Sequence, residues 1–160
     1  MLIAALLCAC VAADAGSADA SDHVIFQEGR FYNGWQTQRS DGTESQTVVF
    51  EGRRVLFYVL DRDGFVNFVT SDPVAPGAYS RLSFAMYWED ELCNLEMKVR
   101  VGDNKKYQTL SFEPKVLEPR MWNRVVVDLA GLDVTEIKTL RIIKTDVVAT
   151  NVMFNDVCLD

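Results

Sequence analysis

From His23 onward, apolar and polar residues alternate with a period of two in one short run after another. That period gives a strand one buried and one wet face. The clearest case is residues 82–101. Leu82, Phe84, Met86 and Trp88 alternate with Ser83, Ala85 and Tyr87; after an acidic stretch, Leu95, Met97, Val99 and Val101 alternate with Glu96, Lys98 and Arg100. A fold-back near Glu91 makes these runs a hairpin, with Tyr87 opposite Glu96, Ser83 opposite Arg100, and the apolar side chains on one face. Further strands are predicted over 24–27, 47–50, 55–60, 65–70, 107–112, 122–129, 137–144 and 152–159. Between them come turn signals at Asn33-Gly34, Asp41-Gly42, Glu51-Gly52, Asp63-Gly64 and Asn104-Lys105-Lys106, a loop over 72–77, and a linker bracketed by Pro114 and Pro119. About nine or ten short strands at this spacing, without an amphipathic helix or an internal repeat, predict an all-β sandwich or barrel.

Composition narrows the partners. A chain of 160 residues, 49% hydrophobic, suits one domain with a sizeable core. Its net charge of −7 and lack of any basic run argue against nucleic acid or an anionic membrane as partner. Residues 2–13, LIAALLCACVAA, are apolar, small and too short to span a bilayer; Ala18-Asp19-Ala20 supplies a cleavage pattern. The expectation is a secretory signal peptide over 1–20, cut after Ala13 or Ala20, and a secreted domain over 21–160. A lipobox at Leu7-Cys8-Ala9-Cys10, with Cys10 acylated, is the alternative. Cys93 and Cys158 would remain in the mature chain, either as a disulfide or as two buried thiols.

Three segments in order carry a resemblance: HVIFQEGRFYNGW at 23–35, PRMWNRVVVDLAGL at 119–132, and LRIIKTDVVATNVMFNDVCLD at 140–160. They resemble the opening strand, the Trp-led strand and the final strand pair of secreted β-jelly-roll carbohydrate-binding modules of galactose-binding-domain-like architecture. The resemblance spans 23–160. It implies a two-sheet antiparallel jelly-roll sandwich, non-catalytic binding of a polysaccharide or glycan, and a structural calcium near the chain ends, with Glu28 and Asp156 as its ligands by family position. Two departures stand out. Gln36-Thr37-Gln38-Arg39 follows Trp35 where such modules carry further aromatics, and Gln27-Glu28 replaces their acidic pair. The same architecture also serves respiratory complex I assembly factors and adhesion modules, so the alternative is a secreted structural or protein-interaction domain without a sugar site.

Sugar recognition needs a flat aromatic face for the C–H side of the ring and planar polar groups for the hydroxyls. Tyr87, Glu96, Lys98 and Arg100 offer both on the wet face of the expected hairpin, and Tyr107 and Thr109 extend it. The bland reading of the same residues is a solvated sheet with cross-strand charge pairs. Trp35, in a polar, Gly-flanked stretch, is either an exposed platform or the plug of one end of the sandwich. The expected carbohydrate-binding residues are therefore Trp35, Tyr87, Glu96, Lys98, Arg100 and Tyr107. Trp88 shares parity with Phe84 and reads as core; Trp122 reads as packing. Asp61-x-Asp63-Gly64 reads as a plain turn, lacking the further acids of a calcium loop. With one histidine, His23, and no nucleophile motif or phosphate loop, the sequence does not read as an enzyme.

Overall fold

Residues 23–39, 46–61, 64–89, 97–103, 106–113, 117–144 and 149–160 are described by the computed structural model. The expected signal peptide over 1–20, Cys93 and Glu96 lie outside them. Thirteen strands are formed among the described residues: β1 His23–Gln27, β2 Arg30–Phe31, β3 Trp35–Arg39, β4 Gln46–Phe50, β5 Arg53–Leu60, β6 Phe65–Val74, β7 Arg81–Trp88, β8 Met97–Gly102, β9 Tyr107–Leu110, β10 Phe112–Glu113, β11 Asn123–Asp128, β12 Ile137–Lys144 and β13 Thr150–Leu159. No helix occurs among the described residues.

The strands make two antiparallel sheets, a jelly-roll sandwich. The larger runs β10-β11-β7-β13-β1-β2, with β5 also on β13 and β4 on β5; the smaller runs β3-β6-β12-β8-β9. The alternation explains the layering. Leu82, Phe84, Met86 and Trp88 point inward from the larger sheet, and Val99, Val101, Leu140 and Ile142 from the smaller, each at most 1% exposed. Burying such side chains stabilises the fold by about 1.5–3 kcal/mol each.

The expected hairpin over 82–101 is not formed. β7 lies between β11 and β13 in one sheet, and β8 between β12 and β9 in the other. Ser83 faces Val126 and Cys158 across its ladders, and Arg100 faces Arg141 and Thr109. Each strand still turns its apolar side to the shared core, which is why alternation alone fits both arrangements.

Other differences have local causes. The run at 107–112 breaks at Ser111, and β9 and β10 join opposite sheets. β6 continues through Pro73 because the register slips between Val69↔Thr139 and Val74↔Ile137, leaving Pro73 in a bulge where no ladder N–H is required. β3 pairs with β6 although only Trp35 in it is strongly apolar.

β13 is the spine of the larger sheet. Along one edge it pairs with β7. Along the other, β5 pairs up to Leu56↔Phe154, and β1 takes over at Phe26↔Val157. Between them β13 bulges, with Asp156 at φ +48°. The β4–β5 hairpin turns on Glu51 and Gly52, both at positive φ as a two-residue hairpin demands. It bends across the outer face of its sheet, so that Phe50 reaches Tyr87 on β7, ring centroids 4.7 Å apart. Cys158 on β13 is buried; Cys93, its partner in the expected disulfide, lies outside the described residues. Cys158 stands opposite Ser83 near the start of β7.

Candidate functional site

The expected sugar-binding residues do not share one surface. Trp35 is 3% exposed and points into the core from β3. Its Nε1 donates to His23 Nε2 at 3.0 Å, and His23 leans on Tyr79 with ring centroids 5.5 Å apart. Trp35 is therefore the plug of the two readings offered for it, with no free face for a sugar ring. Burial holds the His23 imidazole below its ordinary pKa, as suits a nitrogen that must stay unprotonated to accept from an indole.

Tyr87 lies on the outer face of the larger sheet, opposite Met153. It is half-buried between Phe50 and Trp122, whose centroids are 4.7 and 5.7 Å away. Trp122 Nε1 donates to Glu51 Oε2 at 3.1 Å. Together the hairpin tip and these rings form a satellite core over the sheet.

Lys98, Arg100 and Tyr107 come together instead on the outer face of the smaller sheet. Register places Gln38, Asn67, Arg141, Arg100 and Thr109 directly opposite one another on β3, β6, β12, β8 and β9. Five polar side chains thus cross the sheet in one row. Arg141 is the centre of the built part. Its Nε donates to Asn67 Oδ1 at 2.6 Å and Nη2 to the Tyr107 hydroxyl at 3.4 Å. Its Cζ lies 4.3 Å from the Phe65 ring centroid and 4.8 Å from that of Tyr107. Two aromatic faces and one amide hold the guanidinium, a pre-organised planar donor.

Gly102, opposite Tyr107, is what lets β9 close in. A Cβ there would strike the Lys106 carbonyl oxygen and sit 3.0 Å from the Tyr107 Cα. The close approach brings the Tyr107 ring within reach of Arg141, two strands away. Asn67, 7% exposed, and Thr139, 1% exposed, lie buried on this outer side, beside Arg141. Arg100, between Arg141 and Thr109, and Lys98, opposite Ile143, make no hydrogen bond or ion pair with the described residues.

Asn67, Arg141, Phe65, Gln36 and Gln38 were not singled out from the sequence. Their signal was parity: Asn67 in FVNFVT and Arg141 in LRIIK are polar positions in otherwise apolar strands.

The positions implied for calcium meet at the β13 bulge. The Glu28 backbone N–H donates to Asn155 Oδ1 at 3.3 Å, and Asn155 Nδ2 donates to Asp156 Oδ2 at 3.4 Å. A buried amide bridges the two residues. Calcium takes six to eight oxygens, and among the described residues no three His, Cys, Asp or Glu side chains converge. No role for the ion is derived. Asp61 closes an ordinary turn, its carbonyl accepting from the Gly64 N–H at 2.9 Å.

Shallow depressions of about 360 Å³ beside Tyr79 and Leu132, and about 220 Å³ beside Glu89 and Asn151, lie off the five-stranded face.

No model of a known protein family matches the chain, and no curated protein sequence matches it. Solved structures do. A mutant of CBM29-2, a family 29 carbohydrate-binding module, has a TM-score of 0.61 at 12% identity, over 88% of this chain and 92% of that one. A CBM29-2 mutant complexed with mannohexaose has a TM-score of 0.61 at 11% identity, over 86% and 89%. Another, complexed with cellulohexaose, has a TM-score of 0.59 at 11% identity, over the same shares. At such identity the likeness is one of fold, and the jelly roll is shared across nearly the whole described chain.

Proposed function

We propose that the chain is a non-catalytic carbohydrate-binding module whose glycan lies along the outer face of the five-stranded sheet. The observation that carries this reading is the row Gln38, Asn67, Arg141, Arg100 and Thr109, crossing five strands with Tyr107 and Phe65 beside it. Planar amides and guanidinium groups suit hydroxyl pairs, and the aromatic edge suits the C–H face of a pyranose. A polar row spanning a whole sheet suits an extended chain better than a single small sugar. The likeness to modules complexed with mannohexaose and cellulohexaose supports the same reading at the level of fold. Secretion, expected from residues 1–20, belongs to the proposal.

The test is a calorimetric titration of the protein with soluble polysaccharides, comparing two tyrosines on opposite faces. Tyr107→Ala should abolish binding, and Tyr87→Ala should leave it unchanged. Loss of binding in Tyr87→Ala alone, with the fold intact, would move the site to the larger sheet.

One observation favours a second reading, protein interaction through the larger sheet. Val49 and Met121, 70% and 47% exposed, flank Phe50 and Trp122 in sequence. A defined protein partner lost on Val49→Lys, with no glycan bound by the parent chain, would establish it.

A further inference from the structure

The outer face of the five-stranded sheet has a charge opposite to that of the molecule. The chain carries a net −7. At the ladder positions of this face stand Lys98, Arg100 and Arg141, and no carboxylate among the described residues. Asp72, the acid within β6, sits in the bulge at the sheet's end, its carboxylate beside Gly34. Two features show that the cations are not merely solvated decoration. Arg100 and Arg141 are direct cross-strand partners, an arrangement in which like charges repel. Among the described residues no acid neutralises either: Arg141 spends its Nε on a neutral amide and packs between two rings, and Arg100 makes no ion pair. A repulsive pair held in place by a neutral scaffold is relieved by an anion lying across it.

From this we infer that the module's ligand is an acidic polysaccharide, one whose uronate carboxylates are gripped by Arg100 and Arg141, with Lys98 adding long-range attraction. The inference rests on the carbohydrate-binding reading of this face. Phe65, Tyr107 and Asn67 hold the Arg141 guanidinium as a pre-organised planar donor for an oxyanion, and on a polysaccharide the uronate carboxylate is such a group. Neutral pyranoses could still use the aromatic edge and the amides, so charge would set the preference rather than create the platform. Attraction of this kind is screened by salt.

The experiment titrates the 160-residue chain with polygalacturonate, with the same polymer after methyl esterification, and with a neutral mannan, in 20 and 300 mM salt. Dextran sulfate and duplex DNA are the polyanion comparisons. The expected result is binding to polygalacturonate at least tenfold tighter than to its ester, falling with salt, and a preference lost in Arg100→Gln, which leaves the Arg141 packing untouched. Equal binding of the free and esterified polymers would overturn the acidic preference while leaving the carbohydrate-binding reading in place. Tighter binding of dextran sulfate or DNA than of polygalacturonate would overturn the carboxylate assignment in favour of an unselective polyanion surface. Binding to none of the glycans by a folded protein would overturn both readings.

Discussion

Arg141→Ala tests the scaffold of the five-stranded face. In the native sheet the guanidinium stacks on Phe65 and Tyr107 at 4.3 and 4.8 Å and donates to Asn67 Oδ1 at 2.6 Å. Each cation–π contact on a half-exposed site is worth about 0.5–1 kcal/mol. A hydrogen bond from a charged donor contributes about 1.5–3 kcal/mol, and its loss leaves the buried Asn67 oxygen without that partner. Truncation to alanine should therefore destabilise the domain by about 3 kcal/mol, lowering Tm by about 10 °C for a domain of this size. Arg141→Lys keeps the charge but loses the Nε bond and the flat stack, and should fall near half that loss. Urea denaturation followed by circular dichroism gives the numbers. A double-mutant cycle with Asn67→Ala isolates the pair, with an expected coupling of about 1–2 kcal/mol. A loss below about 0.5 kcal/mol in Arg141→Ala, or strict additivity in the cycle, would refute the claim that this guanidinium is built into the sheet, and with it the pre-organisation on which the anion reading depends.

Other consequences are open to equally direct measurement. His23 is held below its ordinary value of 6.5 by burial, so below that pH the unfolded chain binds a proton that the folded one resists. Stability should be flat above about pH 6.5 and fall as pH drops below it; urea midpoints should show this slope in the parent and not in His23→Gln, and the same slope in both would overturn it. Asn155→Ala removes the amide bridging Glu28 and Asp156 and should cost about 2 kcal/mol, whereas chelator should leave Tm unchanged; a Tm that falls in chelator would restore calcium to the bulge. Gly102→Ala forces a methyl onto the Lys106 carbonyl, and should cost about 1–3 kcal/mol and weaken glycan binding by moving Tyr107. Phe50→Ala strips the hairpin tip from Tyr87 and Trp122 and should lower stability by about 1–2 kcal/mol with glycan binding unaltered; a parallel loss of binding would place the ligand on the larger sheet.

How far the sequence reveals this molecule depends on what alternation encodes. Parity is a property of one strand, and it was legible where strands are regular: Leu82 to Trp88 on even numbers and Val99 to Val101 on odd numbers are buried as read. Pairing is a property of two strands. The segments around 84 and 99 look like hairpin arms because both serve the same core, yet they serve it from opposite sides. Polar edge strands hide for a related reason: Gln36 and Gln38 carry no burial signal, and β3 is recognisable only through its ladder to β6. The bulge at Asp156 hides because a left-handed backbone there is taken by an aspartate rather than a glycine. The candidate site combines these limits. Arg100 and Arg141 were each readable as wet-side cations. Their juxtaposition, the fact that gives the face its chemistry, exists only because β12 is the neighbour of β8. A site made from one row of a sheet draws one residue from each of five distant segments, so no motif of fixed spacing can announce it. What announces it is a charge pattern that pairing makes costly and a ligand would relieve.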